Sequence, residues 1–137
     1  MIASPPAGTQ PPEALVRRTG DRTGAAVSRT GTVFALDVAQ AGQLLELRGR
    51  LDVRVAADVR LALAAAVSDG SGDLVVDVAG LSGVDATGLG ALVGAHRSAG
   101  RAGRRLVLRD VPPVLARVLL LTRLDRVLRT TRTVLAA

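Results

Sequence analysis

Asp73-Leu-Val-Val-Asp-Val-Ala-Gly-Leu-Ser-Gly-Val-Asp-Ala-Thr-Gly-Leu-Gly-Ala-Leu-Val-Gly-Ala-His-Arg97 decides how this chain is read. Leu74, Val75, Val76 and Val78 form a short apolar run rich in β-branched residues, interrupted only by Asp77. Its length and composition predict a strand buried on both faces. Gly80, Ser82 and Gly83 then predict a break. Leu89, Leu92, Val93 and His96 recur at i, i+3, i+4 and i+7, one face of a helix. Asp85-Ala86-Thr87-Gly88 joins the two, so a hydroxyl falls where a helix begins and backbone N–H groups point outward. Thr87 is readable as a mere N-cap, but Asp85 competes for that role and ranks higher; if Asp85 caps, Thr87 lies in the first turn with its hydroxyl free to face solvent.

Composition narrows the possible chemistry. The chain has 137 residues, enough for one sizeable core, and 48% of them are hydrophobic but only 1% aromatic. The core must therefore be built of Leu, Val and Ala. With no Cys and a single His, the chain offers no disulfide, thiolate nucleophile or multi-His metal site, and we expect neither metal nor cofactor. No apolar run reaches the roughly 20 residues of a membrane span. The N-terminus lacks the basic and apolar regions of a secretory signal, so the expected location is cytoplasmic. The net charge is +6 and every cation is Arg, spread from Arg17 to Arg132. Without a long basic run, and almost without aromatics for stacking, direct nucleic-acid binding is not expected.

Residues 1 to 31 hold four of the six prolines and few apolar residues in sequence. Such a segment buries too little surface to offset its ordering entropy, and we expect a disordered tail before a domain over 32–137. Residues 32–38 and 44–49 read as two strands of an antiparallel hairpin around Gln40-Ala-Gly-Gln43. Asp52 is placed to cap a helix over roughly 53–67, with Gly70 as its C′ residue. Ala99 to Gly103 ends the second helix, and Arg104 to Arg109 reads as the fourth strand. Pro112 and Pro113 start a third helix with Leu115, Val118, Leu119 and Thr122 inward. Leu120, Leu121 and Leu124 widen its apolar stripe, which is then either deeply buried or a partner contact; we expect burial, because Arg117, Arg123 and Arg126 leave a polar edge. Residues 127–135 read as a final edge strand. Strands alternating with helices after a hairpin predict an α/β fold: a mixed, mostly parallel sheet of four to five strands with three or more helices.

Four segments carry a resemblance: Leu47-Arg-Gly-Arg-Leu-Asp52, Leu74 to Gly90, Gly103-Arg-Arg-Leu-Val-Leu108, and Val114 to Asp125. Together they resemble the STAS domain of bacterial anti-sigma factor antagonists over residues 32 to about 130. Asp-x-Thr-Gly-Leu-Gly in its strand–loop–helix setting is the most specific of these elements. The resemblance implies that Thr87 is phosphorylated by a partner kinase. It is the only hydroxyl of the element, since Ala86 stands where Ser is frequent. Arg123 departs from the family's usual Gly, and a left-handed residue there costs about 1–2 kcal/mol. Val53-Arg-Val also lacks the polar residues often found after the Asp52 position.

The resemblance further implies a binding protein that releases a sigma factor by engaging an anti-sigma factor serine/threonine kinase. Phosphorylation at Thr87 switches it off, and a PP2C-type phosphatase restores it. Asp52, Asp85, Ala86, Gly88, Gly90, Gly94 and Arg97 are the candidate partner-binding residues. Asp52 and Asp85 are equally readable as helix caps, and Gly94 as a packing residue. The alternative is a STAS scaffold subunit, never phosphorylated, in a sensory or lipid-transport assembly. Catalysis is not expected. The segment from Gly80 to Gly90 has no P-loop Lys and no full G-x-G-x-x-G, and no acid–base pair accompanies Thr87. His96 reads as a partly buried packing residue.

Overall fold

A computed structural model describes residues 16–17, 26–27 and 33–133. Its elements are β1 (Val16–Arg17), β2 (Ala26–Val27), β3 (Val33–Gln40), β4 (Leu44–Leu51), α1 (Val53–Asp69), β5 (Asp73–Val84), α2 (Ala86–Arg101), β6 (Arg105–Arg109), α3 (Pro113–Leu121), a 3₁₀ turn at Leu124–Arg126, and β7 (Arg129–Thr131). The sheet order is β1-β3-β4-β5-β6-β7, with β2 also on β3. β3 and β4 form the expected antiparallel hairpin, and β4, β5, β6 and β7 run parallel. The expected tail falls mostly outside the described residues. Its two described pieces, β1 and β2, both pair with β3. The last strand, expected over 127–135, is only Arg129–Thr131, and residues 134–135 fall outside the described residues.

One face of the sheet carries the core. Leu45 and Leu47, Leu74, Val76 and Val78, and Leu106 and Leu108 are buried. They join Val55, Val59 and Leu63 of α1, Leu89 and Leu92 of α2, and Leu115 and Leu119 of α3 in a single cluster. The residues between them on β4, β5 and β6, namely Glu46, Arg48, Val75, Asp77, Val107 and Arg109, are not buried. The expectation that β5 is buried on both faces is therefore corrected. Its other face carries ion pairs: Arg109 donates to Asp77 Oδ2 at 2.8 and 2.9 Å, and Arg105 Nε lies 3.2 Å from Asp73 Oδ1.

Three local expectations also change. β5 does not break at Gly80 but continues to Val84. Its ladder with β4 shifts register twice there, and the glycines give room to the arginines opposite. A Cβ at Gly80 would stand 2.7 Å from Arg48 Cγ, and one at Gly83 2.6 Å from Arg50 Nη1. Gly70 ends α1 in extended backbone, not as a left-handed C′ residue. Leu120 and Leu121 are 66% and 74% exposed, because α3 buries only Leu115 and Leu119. Leu124 does pack partly against the core. Thr122 is exposed and turns its hydroxyl back to Val118 O at 2.7 Å.

Candidate functional site: two helix starts around Thr87

β4 and β5 are parallel neighbours, so the helices that follow them start side by side at one edge of the sheet. α1 begins after Asp52, whose Oδ1 accepts from Arg54 N at 3.0 Å. α2 begins after Asp85, whose Oδ1 accepts from Gly88 N at 2.7 Å. Asp85 does more than cap its own helix. Its second oxygen accepts from Val53 N, the first residue of α1, at 3.0 Å. One carboxylate thus satisfies an orphan donor on each helix. The strand ends are locked together as well, since Asp85 N donates to Leu51 O at 3.1 Å.

The charge of Asp85 follows from this. The Gly88 N–H holds its carboxyl below the ordinary value, against partial desolvation. The N–H groups of Val53 and Thr87 and the Arg50 guanidinium add to the effect. Arg50 Nε also lies 3.5 Å from Asp52 Oδ2, so the two caps share a cationic neighbour.

Gly88 fixes how close α2 comes to β4. A Cβ there would stand 2.2 Å from the Leu51 carbonyl oxygen and 2.8 Å from Leu51 Cγ. Thr87, one residue earlier, sits in the first turn of α2 and is half-buried. Asp85 takes the capping role, as expected, and no hydrogen bond to the Thr87 hydroxyl occurs among the described residues. Ala86 is exposed beside it.

The predicted site residues divide into two groups. Asp52, 7% exposed, the half-buried Asp85 and the buried Gly88 shape the site from beneath. Ala86, Thr87, Gly90, Gly94 and Arg97 lie on α2 with surface open to a partner. A Cβ at Gly94 would meet nothing within 4 Å, so packing does not require a glycine there, whereas one at Gly90 would have Arg60 Nη2 at 3.3 Å. His96 is half-buried, with its Nδ1 buried and unpartnered. Among the described residues no three His, Cys, Asp or Glu side chains gather as a metal site, and no helix is long and apolar enough to cross a membrane.

Sequence reasoning missed Arg104, which lies 5% exposed at the opposite edge of the sheet. Its guanidinium donates to Gly42 O at 2.6 Å, Ala66 O at 2.7 Å, Gly72 O at 2.9 Å and Val67 O at 3.0 Å. It ties the end of α1 to two loops, and nothing in the local pattern around residue 104 announces that role.

Solved structures that this fold resembles include anti-sigma factor antagonists. One from Mycobacterium paratuberculosis matches with a TM-score of 0.63 at 20% identity, over 78% of this chain and 91% of that one. A STAS domain protein from Planctomyces limnophilus matches with a TM-score of 0.62 at 18% identity, over 72% and 91%. Unphosphorylated SpoIIAA of Bacillus matches with a TM-score of 0.60 at 19% identity, over 74% and 88%. At such identities the likeness speaks for the fold alone. No curated protein matches the chain. The sequence profile described as "Mlab, STAS domain" matches residues 34–130, from the first hairpin strand to the last strand of the sheet. By that match and that fold, the chain belongs to the STAS domain family.

Proposed function

We propose that this protein is an anti-sigma factor antagonist that binds an anti-sigma factor kinase, releases a sigma factor, and is switched off by phosphorylation at Thr87. The observation that carries this reading is the Thr87 hydroxyl itself. It is unbonded within the described residues, in the first turn of α2, with its capping role already taken by Asp85. A kinase bound at this edge transfers the γ-phosphoryl group of ATP to Thr87 Oγ1; the hydroxyl proton leaves and ADP is released. A PP2C-type phosphatase hydrolyses the ester and restores the active form. The protein acts in the cytoplasm, as a binding partner and not as an enzyme.

The physics of the switch is local. A phosphate adds about −1.5 to −2 charge and three acceptor oxygens. The N-terminus of α2 tolerates that charge within the domain. A partner surface fitted to a neutral hydroxyl does not, and the Asp85 carboxylate two residues away adds like-charge crowding. Ala86, Gly90, Gly94 and Arg97 supply the remaining contact surface, with Asp52, Asp85 and Gly88 holding it in shape.

The test is incubation with candidate anti-sigma kinases and ATP, followed by mapping of the phosphate by mass spectrometry. Thr87→Ala is expected to stay folded, bind the kinase and take no phosphate. Thr87→Glu carries one charge without the phosphate's shape, and its affinity is expected to fall at least about tenfold, or 1.4 kcal/mol. Circular dichroism melts establish first that both variants fold. Phosphate at another residue, or undiminished binding by folded Thr87→Glu, replaces the switch with the unphosphorylated scaffold of a sensory or lipid-transport assembly.

A further inference from the structure

The end of α3 carries an unpartnered apolar crest. Leu120 and Leu121, its last two residues, are 66% and 74% exposed, and Val127 just beyond the 3₁₀ turn is 47% exposed. Arg117, Arg123 and Arg126 are exposed around them. Between Pro113 and Arg132 stand five arginines and a single acid, Asp125, so this segment carries +4 of the chain's +6. Leu61 and Val53 are comparably exposed, but among the described residues only at the end of α3 do two adjacent large apolar side chains stand beside a cluster of arginines, which makes this the candidate interaction surface.

We propose that this crest docks on an anionic lipid bilayer. Leu120, Leu121 and Val127 enter the boundary between headgroups and acyl chains, and the three arginines meet lipid phosphates. Charge complementarity selects the occupant. A second copy of the chain would bring Arg117, Arg123 and Arg126 against their own kind. The chain's first 32 residues, with four arginines against Glu13 and Asp21, are themselves basic. Shape favours a lipid surface over a protein. The leucines stand on the tip of a helix, and none of the three apolar residues lines the neighbouring cleft of Val111, Ala116, Leu119, Asp125, Thr130, Thr131 and Arg132. The polar surround is mostly guanidinium, which needs no fixed partner geometry, and the hydroxyl next to the leucines, that of Thr122, is spent on Val118 O.

The fold separates this surface from Thr87. α2 starts at the edge of the sheet where β5 ends, whereas α3 runs back from that edge and finishes where β7 starts. A protein held at the bilayer by α3 therefore keeps its Thr87 edge turned away from the lipid.

The test is flotation of the full chain with vesicles of phosphatidylcholine, alone or with about a third phosphatidylglycerol. Partitioning is expected to be at least about tenfold stronger on the anionic vesicles and to weaken with added salt. Leu120→Ser/Leu121→Ser is expected to lose at least about tenfold of it with an unchanged melting curve, because both side chains are already in water. Arg117→Gln/Arg126→Gln, which leaves the apolar crest intact, is expected to lose the preference for anionic vesicles. Absence of wild-type partitioning, or equal partitioning by the folded leucine variant, overturns the proposal. So does a leucine variant that keeps its lipid binding but loses its anti-sigma kinase, which makes the crest a protein contact.

Discussion

Gly88 lies directly against Leu51: a Cβ at residue 88 would stand 2.2 Å from the Leu51 carbonyl oxygen. The glycine after Thr87 is therefore a packing requirement between α2 and the end of β4. Gly88→Ala must push the helix start away or strain β4, at an expected cost of about 1–3 kcal/mol in a urea unfolding curve. Gly94→Ala is the control. A Cβ there meets nothing within 4 Å, and alanine favours the helix by about 1 kcal/mol.

Asp85 binds donors on both helices in its charged form, so its folded pKa is depressed, first by the Gly88 N–H. A depressed carboxylate stabilises the fold above its unfolded pKa, and that contribution is lost as pH falls through the lower folded value. The window therefore lies below 3.8. Urea midpoints measured downward from pH 5 are expected to fall less steeply for Asp85→Asn than for wild type. Asparagine keeps one capping acceptor and carries no charge to lose.

Arg104 has four carbonyl acceptors within 3.0 Å and lies 5% exposed. Arg104→Ala leaves those oxygens short of donors at the end of α1, where the helix dipole also favours a cation. The expected loss is about 3 kcal/mol or more in thermal or urea unfolding. Arg104→Lys recovers only part, because one ammonium cannot reproduce the guanidinium fork. The Thr87 edge is expected to keep its partner affinity in Arg104→Lys at temperatures where the variant is folded.

Arg123 adopts the left-handed backbone that the family's glycine would accept without strain, with φ 62°. Arg123→Gly is expected to stabilise the domain by about 1 kcal/mol, read as a higher melting temperature.

Leu92 is fully buried in the core cluster, and Ser98 lies half-buried on the same helix. Leu92→Ala is expected to cost about 2–5 kcal/mol. Ser98→Ala, which removes only the acceptor for an exposed Arg101 bond, is expected to cost less than about 0.5 kcal/mol. Equal losses would misplace the buried face of α2.

The sequence by itself determined the elements from β3 to α3 and their order. Leu89, Leu92 and Val93 repeat at helical spacing, Asp52 and Asp85 sit where a first turn needs acceptors, and a hairpin followed by alternating strands and helices implies a mixed sheet. These are local signals, because a helix period or a cap involves residues within a turn or two of each other. That Thr87 lies in the first turn of α2 was legible for the same reason, once Asp85 outranked it as the cap. Tertiary structure decided the rest. Asp85 bonds Val53 from 32 residues away, and Arg104 reaches Gly42 from 62 away. The glycine at 88 is required by a carbonyl on another strand. Continuation of β5 past Gly80 depended on its ladder with β4, in which Arg48 and Arg50 lie over its glycines. The exposure of Leu120 and Leu121 depended on α3 burying only Leu115 and Leu119 in the core. Close approach and burial are properties of pairs of segments, and no spacing within either segment encodes them.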